Sequence, residues 1–95
     1  MTIQEEQLKQ DELIRMGTEA ELLLENPAFN STINNLVDLS FQAFSNSKPE
    51  ETKEREQSYF HYRALVDIVS TLQQRVAVKV QIVANDNNRQ EEKDH

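Results

Sequence analysis

Residues 22–29 read Leu22-Leu23-Leu24-Glu25-Asn26-Pro27-Ala28-Phe29, and this stretch separates two helices. Proline fixes its own φ angle and disfavours a helical conformation in the residue before it, so a first helix must end near Asn26. Asparagine is a favoured N-cap, and proline is favoured at the first position of a helix. We therefore predict that a second helix begins at Pro27 with Asn26 as its N-cap.

A second boundary lies in the run Ser45-Asn46-Ser47-Lys48-Pro49-Glu50. Ser47 and Glu50 have the spacing of a capping box, in which two side chains satisfy the free N–H groups at a helix start. Glu50 and Glu51 also place negative charge in the first turn, where the helix dipole favours it. This pattern predicts that a third helix begins near Pro49.

Apolar residues recur every three or four positions between these boundaries, which is typical of one buried helical face. We predict an all-α protein with helices at about 2–25, 27–45 and 49–84. The short second helix and the long third helix form an antiparallel hairpin, and the amphipathic first helix precedes it. Together they make a single helical domain over residues 1–84. Residues 85–95 contain no apolar side chain and are predicted to form a flexible polar tail.

The first helix carries an apolar stripe that a glycine interrupts. Gly17 costs about 1 kcal/mol relative to alanine in a helix, so we expect a kink or fraying at this position. The stripe consists of Leu13, Met16, Ala20, Leu23 and Leu24.

The apolar ridge of the third helix is longer than the second helix can cover. At about 1.5 Å per residue, the third helix extends roughly 52 Å and the second only roughly 28 Å. Either the first helix folds back over the rest of the ridge, or a second copy of the chain packs there. The residues predicted to mediate association are Tyr62, Leu65, Val69, Leu72, Val76, Val80 and Val83.

The valine-rich end of this ridge has two interpretations. Residues 76–84 also alternate in the period of a half-buried strand, and valine favours strands. A lone strand would have to pair with another chain. We favour a helix because no turn residue separates Leu72 from Val76.

Composition and charge exclude several classes of protein. The chain has 95 residues, of which 37% are hydrophobic, and no cysteine, which argues against disulfide scaffolds and elaborate active sites. Ten basic and 17 acidic residues give a net charge of −7, which disfavours direct binding to nucleic acid. No apolar run approaches the roughly 18 residues of a membrane span, and the first residues lack the features of a signal peptide. We expect a cytoplasmic protein without a membrane partner.

No group of residues points to catalysis or to a cofactor. His61 has no second ligand-type residue three or four positions away, which argues against zinc. The only glycine is Gly17, so no glycine-rich loop can hold a phosphate. Tyr59 and Tyr62 are expected to pack within the hairpin rather than line a site. We predict that the protein is not an enzyme and binds neither cofactor nor metal.

The uneven charge supports an alternative function. Residues 1–25 hold seven acids and two bases, and this segment could imitate a phosphate backbone and block a basic site on a host or phage protein. The acidic contacts would be Glu5, Glu6, Asp11, Glu12, Glu19 and Glu21. A third possibility, ranked last, is a packaging subunit that grips DNA as a ring. Its basic contacts would be Lys53, Arg55, Arg63, Arg75 and Lys79.

Two runs of the sequence resemble small helical proteins of tailed bacteriophages and prophages that are encoded near virion structural genes. One is residues 22–29, quoted above. The other is Arg55-Glu56-Gln57-Ser58-Tyr59-Phe60-His61-Tyr62-Arg63-Ala64-Leu65-Val66-Asp67-Ile68. The valine-rich segment 76–83 and the asparagine-rich tail depart from the pattern of that group. The resemblance implies a phage origin, a role in particle assembly or packaging, and a location in the bacterial host cytoplasm or in the virion.

These observations together predict a non-enzymatic helical assembly protein of phage origin. We expect it to form a homo-oligomer and to dock on a larger phage or host protein.

Overall fold

The computed structural model describes residues 2–93, with side chains described up to residue 88; Met1, Asp94 and His95 lie outside the described residues. Three helices follow one another: α1 (Ile3–Glu25), α2 (Pro27–Asn46) and α3 (Thr52–Lys93). The all-α prediction is confirmed. Residues 76–84 are helical, so the strand interpretation of this segment is wrong.

The boundary between α1 and α2 has the predicted chemistry. Asn26 has φ −79° and ψ 116°, an extended conformation outside the helix. Its side-chain Oδ1 accepts hydrogen bonds from the backbone N–H of Ala28 at 2.9 Å and of Phe29 at 3.1 Å. Two free N–H groups at the start of α2 are thereby satisfied, with Pro27 in the first helical position, where no N–H is needed.

Asn26→Ala is expected to lower the free energy of unfolding by about 1 kcal/mol, because the two N–H groups lose their acceptor. Asn26→Asp keeps an oxygen in place and should retain most of that stability. Asn34→Ala, at an exposed position inside α2, is the matched control and should be neutral or slightly stabilising. Urea unfolding followed by circular dichroism checks all three variants. Equal effects of Asn26→Ala and Asn34→Ala would contradict the capping role.

The capping role predicted for Ser47 at the start of the third helix is wrong. Ser47 instead closes the end of α2: its backbone N–H and its hydroxyl both donate to the carbonyl oxygen of Phe44, at 3.3 Å and 2.6 Å. The hydroxyl is therefore committed to the preceding helix. The capping box expected between Ser47 and Glu50 does not form.

The start of α3 lies three residues later than predicted. Lys48 to Glu51 form a turn, closed by a 3.0 Å hydrogen bond from the Glu51 N–H to the Lys48 carbonyl oxygen. Pro49 occupies the second position of this turn, which its fixed φ suits as well as it suits a helix start. The first backbone bond of α3 runs from the Arg55 N–H to the Glu51 carbonyl oxygen. The same proline geometry thus serves a turn here and a helix start at Pro27.

The end of α3 lies beyond the predicted position near Ala84. The helix continues to Lys93, and the side chains of residues 85–88 are exposed or half-exposed. Adding residues to a helix that already exists costs much less than nucleating one, so polar residues can extend it without packing. The flexibility predicted for residues 85–95 stays a prediction.

The helices group into two compact units. Unit 1 combines α1 up to Leu23 with the part of α3 from Leu72 onward, and unit 2 comprises residues 24–71, where α2 packs against the first half of α3. The helix α1 therefore folds back over the far half of α3, which is the first of the two alternatives for covering the ridge. The prediction of a single domain over residues 1–84 is not tested by this grouping and stays a prediction.

The core of unit 1 depends on a close approach of two helices. Within the part of the chain with described side chains, only Gly17, Ala20 and Leu72 are buried. A Cβ atom built on Gly17 would lie 2.5 Å from the Cβ of Lys79 and 2.9 Å from the carbonyl oxygen of Arg75. α1 runs through Gly17 as one uninterrupted helix, so the fraying expected there is absent. The glycine permits the contact instead of weakening the helix.

The covered face of α1 is rotated from the predicted stripe. Leu13 and Leu23 remain exposed, whereas Ile14 is half-buried beside the buried Gly17. Met16, Ala20 and Leu24 keep their predicted inward positions. Small residues set the contact face because they allow the backbones to approach closely, and this requirement outweighs the hydrophobicity of the leucines.

Candidate interaction surfaces

The ridge predicted for association is mostly the inner face of the two helix pairs. In unit 2, Tyr62, Leu65 and Val69 of the ridge are half-buried. In unit 1, Leu72 is only 8% exposed and Val76 is half-buried. Val80 is 56% exposed and Val83 also remains open. In the order of the chain, the ridge residues are Tyr62, Leu65, Val69, Leu72, Val76, Val80 and Val83. A partner can therefore reach the end of the ridge but not its middle.

Four aromatic rings hold unit 2 together. The ring centroids of Phe41 and Tyr62 lie 6.1 Å apart, and so do those of Phe44 and Tyr59, with interplanar angles of 52° and 50°. Tilted pairs at this separation are favourable because the positive edge of one ring approaches the negative face of the other. The two pairs also set the antiparallel register of α2 on α3. The expectation that both tyrosines pack within the hairpin agrees with these contacts.

Two open cavities lie beside these rings. One, of about 200 Å³, is lined by the four rings alone. The other, of about 270 Å³, is lined by Phe44, Pro49, Thr52, Arg55, Glu56 and Tyr59. The Arg55 guanidinium stands 5.4 Å from the centre of the Phe44 ring, a cation–π distance. Each cavity has the size of one apolar side chain of a partner rather than the roughly 300–1,000 Å³ of a pocket that encloses a small molecule.

Most of the predicted acidic contacts are engaged within the chain. Thr2 and Glu5 form a capping box at the start of α1, with bonds of 3.2 Å and 3.4 Å. Arg15 forms ion pairs with Glu12 and with Glu19, the latter at 2.6 Å. The hydrogen bond from Arg15 holds the pKa of Glu12 below its usual value, and the same bond raises the pKa of Arg15.

The remaining acidic contacts differ in their surroundings. Asp11 accepts a 3.1 Å hydrogen bond from the Gln7 amide. Glu21 pairs with Lys79 of α3 at 3.0 Å, while Glu6 is exposed. The six acids thus do not act as one uniform negative surface, since Arg15 and Lys79 offset part of their charge.

The pair formed by Glu21 and Lys79 joins α1 to α3 and is the better shielded ion pair, with side chains 34% and 22% exposed. Its loss in Glu21→Gln is expected to lower the free energy of unfolding by up to about 1 kcal/mol, less at high salt. The matched control is Asp67→Asn, because Asp67 pairs with Arg63 within one exposed turn at 3.4 Å. That change should cost at most a few tenths of a kcal/mol. A double-mutant cycle with Lys79→Met measures the coupling, and a coupling near zero would contradict the expectation.

Large apolar side chains remain exposed on all three helices. They include Leu36, Leu39 and Phe41 of α2, and Phe60 and Ile68 of α3. The others are Ile3, Leu8, Leu13, Leu22, Leu23, Tyr59, Val80 and Val83. These exposed residues far outnumber the buried ones, and only the structure could identify them, because periodicity does not show which face is covered.

Other kinds of site find little support in the described part of the chain. No three acidic, histidine or cysteine side chains within it come together as a cation would require. None of its helices has the length and apolar character needed to cross a membrane.

No protein-family model matches the sequence, and no curated protein or solved structure matches it either. The resemblance of residues 22–29 and 55–68 to phage proteins stays a prediction.

Proposed function

We propose that this protein is a non-enzymatic helical assembly protein that associates with itself and docks on a larger protein. The observation that carries the proposal is the mismatch between exposed and buried apolar residues. Thirteen large apolar side chains are exposed, whereas the buried residues with described side chains are Gly17, Ala20 and Leu72.

The excess of exposed apolar side chains favours association with another chain. Small domains bury a limited fraction of their surface and are marginally stable alone, so burial in an interface adds stability that the single chain lacks. Apolar residues scattered singly need no explanation, but several on one helix face indicate a contact with another protein. Charged residues are also sparse on α2, which holds three of the exposed residues.

Self-association is tested by the mass and the melting temperature of the full chain at increasing concentration. Light scattering should show an oligomer at tens of micromolar, and the melting temperature should rise with concentration because association stabilises the folded state. A monomer with a concentration-independent melting temperature, up to hundreds of micromolar, would contradict the self-associating part of the proposal.

For the larger partner, the resemblance favours a phage setting, in the host cytoplasm or in the virion. Mass spectrometry of purified virions, beside the same analysis of infected-cell lysate, distinguishes a particle component from a protein that acts only in the cell. Absence from both the particles and the lysate of cells infected with a phage whose genome encodes this chain would count against the phage setting.

The acidic-inhibitor function ranks second, because Arg15 and Lys79 offset part of the acidic set. The salt dependence of partner binding distinguishes the assembly function from the acidic-inhibitor function. Binding by charge mimicry should weaken steeply as ionic strength rises, whereas binding through an apolar helix face should change little.

A further inference from the structure

α2 is almost uncharged, although it belongs to a strongly charged protein. Charged residues make up 28% of the chain, so a helix of 20 residues would carry about five or six, yet Asp38 is the only one in α2. Asp38 is exposed, and the other exposed polar residues of α2 are neutral: Ser31, Thr32, Asn34, Asn35, Gln42, Ser45 and Asn46. Depletion of charge is a mark of the core of a protein interface.

One side of α2 combines this neutrality with exposed apolar residues. Leu36 is 42% exposed and Leu39 is 54% exposed. Ala28, Thr32 and Ala43 are exposed as well, and the helical spacing places all five in one stripe, away from the face that packs on α3. We call these five residues the leucine stripe.

Ile68 of α3 widens the leucine stripe. The pairing of Phe41 with Tyr62 and of Phe44 with Tyr59 sets the antiparallel register, and this register places Leu36 level with Asp67, one residue before Ile68. Ile68 is 48% exposed. Helical spacing puts it on the same side of the hairpin as Leu36, opposite the side on which Phe41 lies.

The leucine stripe reads nearly the same in both directions. In an antiparallel pair with its two-fold axis beside Leu36, Ala28 faces Ala43 of the second copy and Thr32 faces Leu39 of the second copy. The two Leu36 side chains then meet near the axis. A two-fold contact uses the same patch on both copies, so each of these residue pairs occurs twice.

The charge and the area of this face both favour a second copy of the chain as its partner. Each copy carries a net charge of −7, so two copies attract only through a face that is nearly free of charge. A membrane surface is a poor occupant, since α2 has no basic residue. A face about 30 Å long and two helices wide covers on the order of 600 Å², which approaches the roughly 800 Å² per partner of a standard interface.

We infer that a second copy of this chain packs on the leucine stripe and Ile68, with the two α2 helices antiparallel about a two-fold axis beside Leu36. This inference rests on the self-association proposed above and adds the face and the geometry.

Leu39→Glu tests the face. It buries an unpaired carboxylate in each half of the contact, so the dissociation constant measured by sedimentation equilibrium should rise at least about 100-fold. Asn34→Glu is the matched control: it puts the same charge on an exposed position of α2 outside the leucine stripe and should change the constant by no more than a few-fold. Circular dichroism establishes that both variants fold.

Disulfide cross-linking tests the two-fold arrangement of the α2 helices, whether or not Leu39→Glu folds. Because the chain contains no cysteine, Leu36→Cys introduces a single thiol. Facing helices bring residues beside a two-fold axis within the Cα separation of a disulfide, about 4.4–6.8 Å, so mild oxidation should link two copies. Asn34→Cys should remain uncrosslinked under the same conditions.

The outcomes separate this inference from the proposed function. If the wild type forms an oligomer and Leu39→Glu forms it equally well, the leucine-stripe contact is overturned and self-association stands. Equal cross-linking of Leu36→Cys and Asn34→Cys has the same meaning. A wild-type monomer at hundreds of micromolar overturns both. An oligomer that Leu39→Glu dissociates, together with selective cross-linking of Leu36→Cys, supports both.

Discussion

Gly17→Ala is expected to destabilise the protein by about 1 kcal/mol or more, although alanine is the better helix former by about that amount. The added Cβ would lie 2.9 Å from the carbonyl oxygen of Arg75 and 2.5 Å from the Cβ of Lys79. Neither atom belongs to the flexible end of a side chain, so α1 and α3 must move apart. Overpacking of this kind costs about 1–3 kcal/mol, and Gly17→Val, which adds two further methyl groups, should lie at or above the top of that range.

Urea unfolding measures this loss, and hydrogen exchange shows where it falls. Amide protons of α1 should lose protection before those of α2, because Gly17 lies in unit 1. Thr18→Ala is the matched control, at an exposed neighbouring position, and should be neutral or stabilising. If Gly17→Ala stabilises the protein as an exposed glycine substitution does, then α1 does not pack closely on α3.

Phe44→Ala is expected to cost about 2–3 kcal/mol, slightly below the range for a fully buried phenylalanine because Phe44 is half-buried. The change removes the ring that pairs with Tyr59 and the face over which the Arg55 guanidinium lies. It should therefore loosen unit 2, in which α2 and the first half of α3 meet. The near-ultraviolet circular dichroism should weaken too, since both tyrosines of the chain belong to the same cluster.

Phe60→Ala is the matched control for Phe44→Ala. It removes the same side chain from a position that is 63% exposed and whose ring pairs only within α3, with Tyr59 at 5.9 Å, so it should cost less than about 1 kcal/mol. Tyr59→Ala should cost less in the Phe44→Ala background than in the wild type, because the two rings share one contact. Additive effects, or equal losses in Phe44→Ala and Phe60→Ala, would show that the aromatic cluster does not hold unit 2 together.

The helical elements were predictable because their signals are local. Asn26 and Pro27 lie next to each other, and their capping bonds reach no further than Phe29. The start of α3 was missed for an equally local reason, since Pro49 fits a turn and a helix start alike. The hydrogen bonds from the Ser47 hydroxyl to the Phe44 carbonyl oxygen and from the Glu51 N–H to the Lys48 carbonyl oxygen distinguish the two.

The candidate surface was harder to predict than the helices. The ridge from Tyr62 to Val83 was identified correctly as an apolar face, but most of it packs inside the two units. The leucine stripe carries a weaker signal, because Leu36 and Leu39 lie among neutral polar residues, at the edge of the apolar face that hydrophobic periodicity predicts for α2. The scarcity of charge in α2 was the signal present in the sequence.

The sequence by itself determined that this chain is helical, where α2 begins, and that its apolar residues exceed what one hairpin can cover. These properties follow from backbone geometry and from side chains within a few residues of each other. Only the tertiary structure decided that α1 covers the far half of α3 and that Gly17 lies against Lys79, 62 positions away in the chain. The physical reason is that burial depends on which helices approach one another, and small side chains such as those of Gly17 and Ala20 set that approach by allowing two backbones to come close.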